Sequence, residues 1–423
     1  MTDEKKSVLQ EYKLEADNEL RFEVETKGEK VYLTLKNGLA EIFGTELVKG
    51  KTYEFTGGSK VAVFTWHGCT LQVKGKTDVI YTARETPMVI YSNCHAALEE
   101  MRTESEIENK RGPTTMVVGP TDVGKSTLCK ILLNYAVRMG RRPIYVDLDV
   151  GQGGISMPGT IGASVIERPA SVDDGFSQEA PLVYHLGHKT PSGNILLYQK
   201  ITEELAATVK ERLEPNKKTR HSGVIINTCG WVKGDGYKQL LLAGKVFEVD
   251  VVLVLDQERL YNELVRDMPN YIKIVFLQKS GGVVELSKSV RSEARDQRIR
   301  EYFYGTPKNQ LYPHSYDLKW ADVKLFRIGA PKLPASCLPH GMKPEDHRTK
   351  LVPLTPHSGI SHHLAAVSFA EAEDDVICAH VAGFVCVSNV DEERQTITLL
   401  SPQPKPLPNA VLVLSDLQFM DSH

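Results

Sequence analysis

Gly119-Pro120-Thr121-Asp122-Val123-Gly124-Lys125-Ser126 is the stretch that decides the fold. It is a complete phosphate-binding loop of the form G-x-x-x-x-G-K-[ST]. The run Thr114-Thr115-Met116-Val117-Val118 before it is apolar and β-branched, as a buried strand is. After it, Leu128, Ile131, Leu132, Tyr135 and Ala136 recur at helical spacing. A strand that feeds a Gly-rich turn and then a helix aims several backbone N–H groups and the positive helix end at one spot. Lys125 reaches the β and γ phosphates of a bound nucleotide, and the Ser126 hydroxyl can hold Mg²⁺. The chain is therefore expected to bind a nucleoside triphosphate.

Strand and helix alternate outward from this loop. Strands are expected at 114–119, 144–149, 224–229, 249–255 and 272–277, with helices at 125–139, 199–213, 235–247, 257–267 and 287–303. The runs at 223–226 and 249–255 are continuously apolar, as strands covered on both faces must be. The expected fold class is α/β, a central P-loop doubly wound parallel sheet. Before it lie alternating segments at 20–25, 31–35, 53–56, 60–66, 70–73 and 79–82, with turn signals at Asn37-Gly38 and Gly57-Gly58. They predict a small N-terminal β-sandwich. Residues 95–110 read as a charged connecting helix. Beyond Tyr304-Gly305-Thr306-Pro307 proline becomes frequent and short strands return at 323–328, 364–369, 377–388, 395–400 and 410–414, which predicts a β-rich C-terminal domain. The resulting division is 1–103, 104–308 and 309–423.

Composition sets the outer limits. A chain of 423 residues exceeds one ordinary core. No apolar run approaches the roughly 18 residues of a membrane span, so no membrane contact is expected. The seven cysteines are dispersed, without a Cys-x-x-Cys pair, which points to reduced thiols in cytosol or nucleus. The net charge of −3 confines any nucleic-acid contact to a local basic groove.

Three further constellations carry chemistry. In doubly wound sheets the C-terminal strand ends face the ligand crevice. One such end reads Asp147-Leu148-Asp149-Val150-Gly151-Gln152, with both carboxylates on one strand face. Charges there are costly unless they serve a metal or a reaction. Asp147 suits the water shell of Mg²⁺, and Asp149 suits a base for an incoming hydroxyl; capping of the following turn is the alternative for either. A second strand end reads Asn227-Thr228-Cys229-Gly230-Trp231, where Trp231 is either a stacking platform for a nucleobase or a core side chain under a loop. On the helix from 288, Arg291 and Arg295 share a face. They serve either as mobile cations over a transferring phosphoryl group or as a solvated face paired with Glu293 and Asp296. Asn216-Lys217-Lys218-Thr219 departs from the guanine-reading Asn-Lys-x-Asp pattern, which disfavours a GTPase, and His362-His363 lacks metal-ligand spacing.

Together these motifs resemble the polyribonucleotide 5′-hydroxyl kinase family of RNA processing. The stretches Ala40-Glu41-Ile42-Phe43-Gly44-Thr45-Glu46-Leu47 and Arg300-Glu301-Tyr302-Phe303-Tyr304-Gly305 extend the resemblance over the whole chain. It implies transfer of the ATP γ-phosphate to RNA with a 5′-hydroxyl end, with ATP and Mg²⁺ as cofactors. It implies ATP contacts from Gly119, Thr121, Asp122, Val123, Gly124, Lys125, Ser126 and Thr127. It adds Glu19 and Lys60 of the N-terminal domain, which hold the nucleotide base. Lys125, Asp149, Arg291 and Arg295 would be catalytic. Thr228, Gly230 and Trp231 would clasp the RNA end, and Ser126, Asp147 and Gln152 would place the metal. The resemblance further implies a nuclear protein with two partners: a scaffold subunit of the pre-mRNA cleavage complex and the tRNA-splicing endonuclease complex.

Overall fold

The computed structural model describes residues 9–26, 28–177, 179–306, 309–330, 341 and 347–420. The domain boundary set at residue 308 lies outside the described residues. The first nine strands form two sheets. One orders β1 (Leu9–Leu14), β8 (Cys69–Lys74), β3 (Lys30–Gly38) and β6 (Thr52–Thr56). The other orders β5 (Thr45–Glu46), β4 (Glu41–Ile42), β7 (Ser59–Thr65), β2 (Asn18–Val24) and β9 (Val79–Ala83). Alternate residues such as Leu20, Phe22 and Val24 of β2 meet Val31, Leu33 and Leu35 of β3 in one core, as period-2 patterning requires.

The central sheet runs β13 (Leu182–His185), β12 (Thr160–Val165), β11 (Ile144–Asp147), β14 (Val224–Asn227), β10 (Thr114–Val118), β15 (Val251–Leu255), β16 (Lys273–Leu277). From β11 to β16 all pairings are parallel. Helices cover both faces. Val117 of β10 points into a core with α2 (Lys125–Arg138), while its neighbours Met116 and Val118 point into one with α3 (Ile195–Leu213), α5 (Asp235–Val246) and α6 (Glu258–Asp267). The sheet departs from the all-parallel expectation at one edge, where β12 and β13 add antiparallel. Both are four to six residues long and interrupted by polar loops, so no helical period separated them in the sequence.

The helix expected at 95–110 is α1 (Met88–Ile107), seven residues earlier, and it is more than a connector. Met88, Tyr91 and Leu98 join the core around α2, and the almost fully buried Arg102 donates to the Ser222 carbonyl oxygen at 2.9 Å. Ser222 ends α4 (Lys217–Ser222), which Asn216 caps by accepting from Thr219 N–H at 3.1 Å. Asn216 is thus a capping residue, in line with the exclusion of a guanine reader. Among the described residues the last α-helix is α7 (Lys288–Tyr304).

The C-terminal strands form one sheet: β17 (His314–Lys319), β22 (Thr396–Ser401), β21 (Val381–Asp391), β20 (His363–Ser368), β23 (Val411–Gln418), β18 (Lys324–Ile328), β19 (Leu351–Pro353). One face holds its own core, including Val367, Val385 and Leu412. The other, with Ala366, Phe384 and Val413, merges with the core of α2 and α7. This domain is therefore docked on the central one through an apolar face.

Candidate functional site

The parallel strands end together, and a cleft of about 860 Å³ opens above them between the central and N-terminal domains. The loop after β10 forms its floor. Gly119 (φ 153°) passes under the Leu255 backbone, where a Cβ would lie 2.7 Å from a carbonyl oxygen; Gly124 (φ 89°) turns the chain into α2. Thr121, Asp122, Val123, Gly124, Lys125, Ser126 and Thr127 all line the cleft. Gly119 lies beneath it and shapes the turn. Lys125 is buried, and its Nζ donates to the Pro120 carbonyl oxygen at 2.6 Å. Burial lowers the ammonium pKa, and Asp149 opposes that shift most. The amine folds back onto its own loop, so it must swing outward to meet a phosphate.

Asp147 and Asp149 take different positions. Asp147 is buried at the end of β11 and accepts four hydrogen bonds. They come from Gly154 N–H at 2.7 Å, Asp149 N–H at 3.0 Å, Tyr145 O–H at 3.1 Å and Asn227 Nδ2 at 3.1 Å. Burial, and then the charge of Asp149, pushes its carboxyl up to about 6. The same Asn227 Nδ2 lies 3.2 Å from Ser126 Oγ, so Asn227 ties the hydroxyl to the carboxylate. Sequence reasoning passed over Asn227; parallel register places it directly beside Asp147. Asp149 lines the cleft, and one oxygen, Oδ1, accepts from Gly151 N–H at 2.9 Å and Gln152 N–H at 3.1 Å. It caps its turn and faces the cleft as well.

Among the described residues no three His, Cys, Asp or Glu side chains converge on a metal position. Magnesium on a nucleotide takes only one or two protein oxygens, the rest coming from phosphates and water. Ser126 Oγ, with the buried Asp147 carboxyl behind it and linked to it through Asn227, fits that pattern. Gln152 lines the cleft, but its Nε2 donates to the Arg291 carbonyl oxygen at 3.3 Å.

The arginines of α7 close the cleft. Arg291 forms an ion pair with Asp122, whose Oδ2 also accepts from Leu286 N–H at 3.0 Å. Arg295 lines the cleft and has no ion-pair partner among the described residues. The ion-pair partner that Arg291 takes is thus Asp122 of the phosphate loop. Opposite them, Trp231 is half-buried on the cleft wall. It rests on the first turn of α5, where a Cβ on Gly236 would lie 2.5 Å from its Cγ. Gly230 abuts the phosphate loop, and Cys229 is half-buried on the cleft lining, where desolvation pushes its thiol up to about 11. Thr228 is buried below the cleft, its hydroxyl donating to the Val117 carbonyl oxygen at 2.8 Å. Its side chain braces the strand end and does not line the cleft.

The N-terminal domain supplies the remaining wall. Lys60 lines the cleft and pairs with Glu23, its register partner, at 3.2 Å. Glu19 is buried behind the wall and accepts from Arg21 Nε at 2.7 Å. Arg21 itself faces the cleft, its guanidinium 5.9 Å from the Tyr81 ring centroid. Glu19 thus stands behind the cleft wall, with Arg21 in front of it. Arg21, Tyr81 and the loop 189–192 are cleft residues that no motif announced.

Against this geometry, comparison with known proteins is decisive. A family model described as the mRNA cleavage and polyadenylation factor CLP1 P-loop matches residues 119–305. The N-terminal beta-sandwich domain of polyadenylation factor matches 13–105, and the pre-mRNA cleavage complex II protein Clp1 matches 311–421. The chain belongs to the CLP1 family. Protein CLP1 homologs from Culex quinquefasciatus and Anopheles gambiae are each 62% identical over 424 residues, covering 100% of both chains. That from Drosophila persimilis is 60% identical, covering 98% of each. Among solved structures, the Clp1p–Pcf11p (454–563) complex has a TM-score of 0.84 at 22% identity, covering 98% of this chain and 99% of that one. As a CLP1 protein the chain is a kinase-like nucleotide-binding component of the mRNA cleavage and polyadenylation machinery. Among the described residues no helix is long and apolar enough to cross a membrane.

Proposed function

We propose that this CLP1 protein is an ATP-dependent polyribonucleotide 5′-hydroxyl kinase. The observation that supports it most is convergence on one cleft. Lys125, Asp149, Trp231, Arg291 and Arg295 come from four separate chain segments and share it with the phosphate loop. A scaffold that merely holds a nucleotide needs no base, base-stacking wall or free arginine there.

Phosphoryl transfer is largely positioning and electrostatics. The phosphate loop holds the triphosphate of ATP through its backbone N–H groups. Lys125, released from Pro120, neutralises the phosphate oxygens. Asp149 accepts the proton of the RNA 5′-hydroxyl while that oxygen bonds to the γ-phosphorus and the bond to the bridging oxygen of ADP breaks. Its Oδ1 is held by two backbone N–H groups, which leaves Oδ2 for the hydroxyl. Arg295, and Arg291 once free of Asp122, meet the charge that develops on the transferring group. Ser126, supported by Asp147 and Gln152, would hold Mg²⁺, which supplies further charge neutralisation. Trp231 stacks on the first base, with Gly230 and Thr228 fixing its strand end. Lys60, and Glu19 through Arg21, border the nucleotide base.

The division into 1–103, 104–308 and 309–423 is part of this reading, with the last region serving partner interaction. The solved Clp1p–Pcf11p complex supports a cleavage-complex scaffold subunit as partner. Nuclear location and association with the tRNA-splicing endonuclease complex belong to the same proposal. The test is transfer of labelled γ-phosphate from ATP to a 5′-hydroxyl RNA oligonucleotide by purified protein. Transfer that Lys125→Ala abolishes supports the kinase, and nucleotide binding without transfer by the wild type overturns it.

A further inference from the structure

One wall of the cleft has no role in the chemistry above. Between β13 and α3 the chain runs through Leu186-Gly187-His188-Lys189-Thr190-Pro191-Ser192-Gly193-Asn194, and Lys189 to Ser192 line the cleft. This loop touches the one that carries Asp149: a Cβ on Gly151 would lie 3.2 Å from the Lys189 carbonyl oxygen. Lys189 therefore stands on the acceptor side. Four other cations of the cleft have partners: Lys125 with Pro120, Arg291 with Asp122, Lys60 with Glu23 and Arg21 with Glu19. Lys189 is exposed and has no ion-pair partner among the described residues. An unpaired cation beside the acceptor hydroxyl suits the backbone phosphate of the strand that carries it.

The second observation is what holds the loop. The Gly187 carbonyl oxygen accepts from Asp416 N–H at 2.9 Å and from Ser415 Oγ at 3.0 Å, both on β23 of the C-terminal domain. The Asp416 carboxylate lies 2.8 Å from His188 Nδ1 and 2.9 Å from Arg327 of β18. At the far end, Asn194 Nδ2 donates to the Arg348 carbonyl oxygen at 2.6 Å. Both ends of the loop are thus tied to the C-terminal domain. A side chain presented on such a clamped loop loses less freedom on binding.

We propose that Lys189 binds the phosphate joining the first two nucleotides of the acceptor RNA, and that Asp416 is the positioning residue for its loop. This rests on the kinase reading for the direction of the strand.

The test is equilibrium binding, by fluorescence anisotropy with a non-hydrolysable ATP analogue, of a short 5′-hydroxyl RNA labelled at its 3′ end. A second oligonucleotide carries an uncharged methylphosphonate at its first linkage. For the wild type the neutral linkage should weaken binding about two- to fivefold, as loss of one solvent-exposed ion pair does. Lys189→Ala should show that loss with natural RNA and no further loss with the methylphosphonate, while Lys189→Arg restores sensitivity. The slope of log affinity against log salt should fall by about 0.7 in Lys189→Ala. Asp416→Asn should raise KM for RNA, leave kcat and KM for ATP unchanged, and add nothing in the Lys189→Ala background. Ser415→Ala, which removes the Oγ bonds to the Gly187 carbonyl oxygen and from Leu417 N–H, is the substitute if Asp416→Asn fails to fold. A wild type indifferent to the neutral linkage, or a Lys189→Ala variant as sensitive as wild type, overturns the contact. Additive effects of the two substitutions overturn the positioning role. If the wild type binds RNA with this pattern yet transfers no phosphate, the kinase reading falls and the Lys189 contact stands.

Discussion

Gly230→Ala probes the contact between the phosphate loop and the Trp231 wall. A Cβ at position 230 would lie 2.4 Å from Thr121 Cγ2, 2.6 Å from Thr121 N and 2.9 Å from Thr121 Cα. Two of those atoms are backbone, so no rotamer change relieves them. The two segments must separate by about 0.8 Å to bring the backbone nitrogen to an ordinary contact of roughly 3.4 Å. Thr121 is exposed on its far side, so the loop can yield, and the stability cost should be near the low end for overpacking, about 1 kcal/mol. The catalytic cost should be larger. A displacement approaching 1 Å between the phosphate cradle and the acceptor wall is worth on the order of 10²-fold in rate. Steady-state transfer to a 5′-hydroxyl RNA should show kcat/KM reduced about 30- to 100-fold, with kcat affected because the reacting atoms are misaligned. The thermal midpoint should fall by only a few degrees. If Gly230→Ala transfers phosphate within threefold of wild type, the two walls are not rigidly registered and the geometric argument is refuted.

Three further outcomes are expected. Asp149→Asn should leave nucleotide affinity within a few-fold and lower kcat by about 10²–10⁴-fold, the range for loss of a general base; an unchanged kcat with weakened Mg²⁺–ATP affinity would make Asp149 a metal residue. Trp231→Ala should mostly raise KM for RNA, whereas Arg295→Ala should mostly lower kcat, because stacking serves ground and transition states alike while the arginine meets developing charge; the reverse split would return both residues to structural roles. His185, the last residue of β13, is buried against Phe384, and burial drives its pKa down to about 4. A depressed histidine pKa means that the native state binds the proton less well than the unfolded chain, so stability is full above pH 6.5 and lost as pH falls toward 4. Between pH 7.5 and 5 the wild type should lose about 2 kcal/mol relative to His185→Leu, read from unfolding at both pH values; a pH-independent difference would contradict the burial of a neutral ring.

Much of the site was legible because its chemistry is sequence-local. The phosphate loop, the two aspartates of 147–149 and the arginines of α7 each occupy one turn or one strand end, where spacing alone fixes which side chains share a face. The same rule found the five parallel strands. It missed β12 and β13, whose short runs lie between polar loops, and it set α1 seven residues late, because its opening turn is held by tertiary contacts of Met88 and Tyr91.

By itself, then, the sequence determined the central fold, the phosphate-binding loop and the candidate groups that share its strand ends, since all follow from period, turn chemistry and motif. Only the tertiary structure decided which distant residues complete the cleft. Asn227 links Ser126 to Asp147 through parallel register, and Asp122 holds Arg291 across 169 positions of chain. The loop 187–194 reaches the cleft already anchored by the C-terminal domain, through Ser415 bonded to Gly187 across 228 positions. Such pairings leave no trace in local propensity: each is a hydrogen bond or ion pair whose partners meet only when strands pair in register and the apolar faces of sheets and helices are buried against one another.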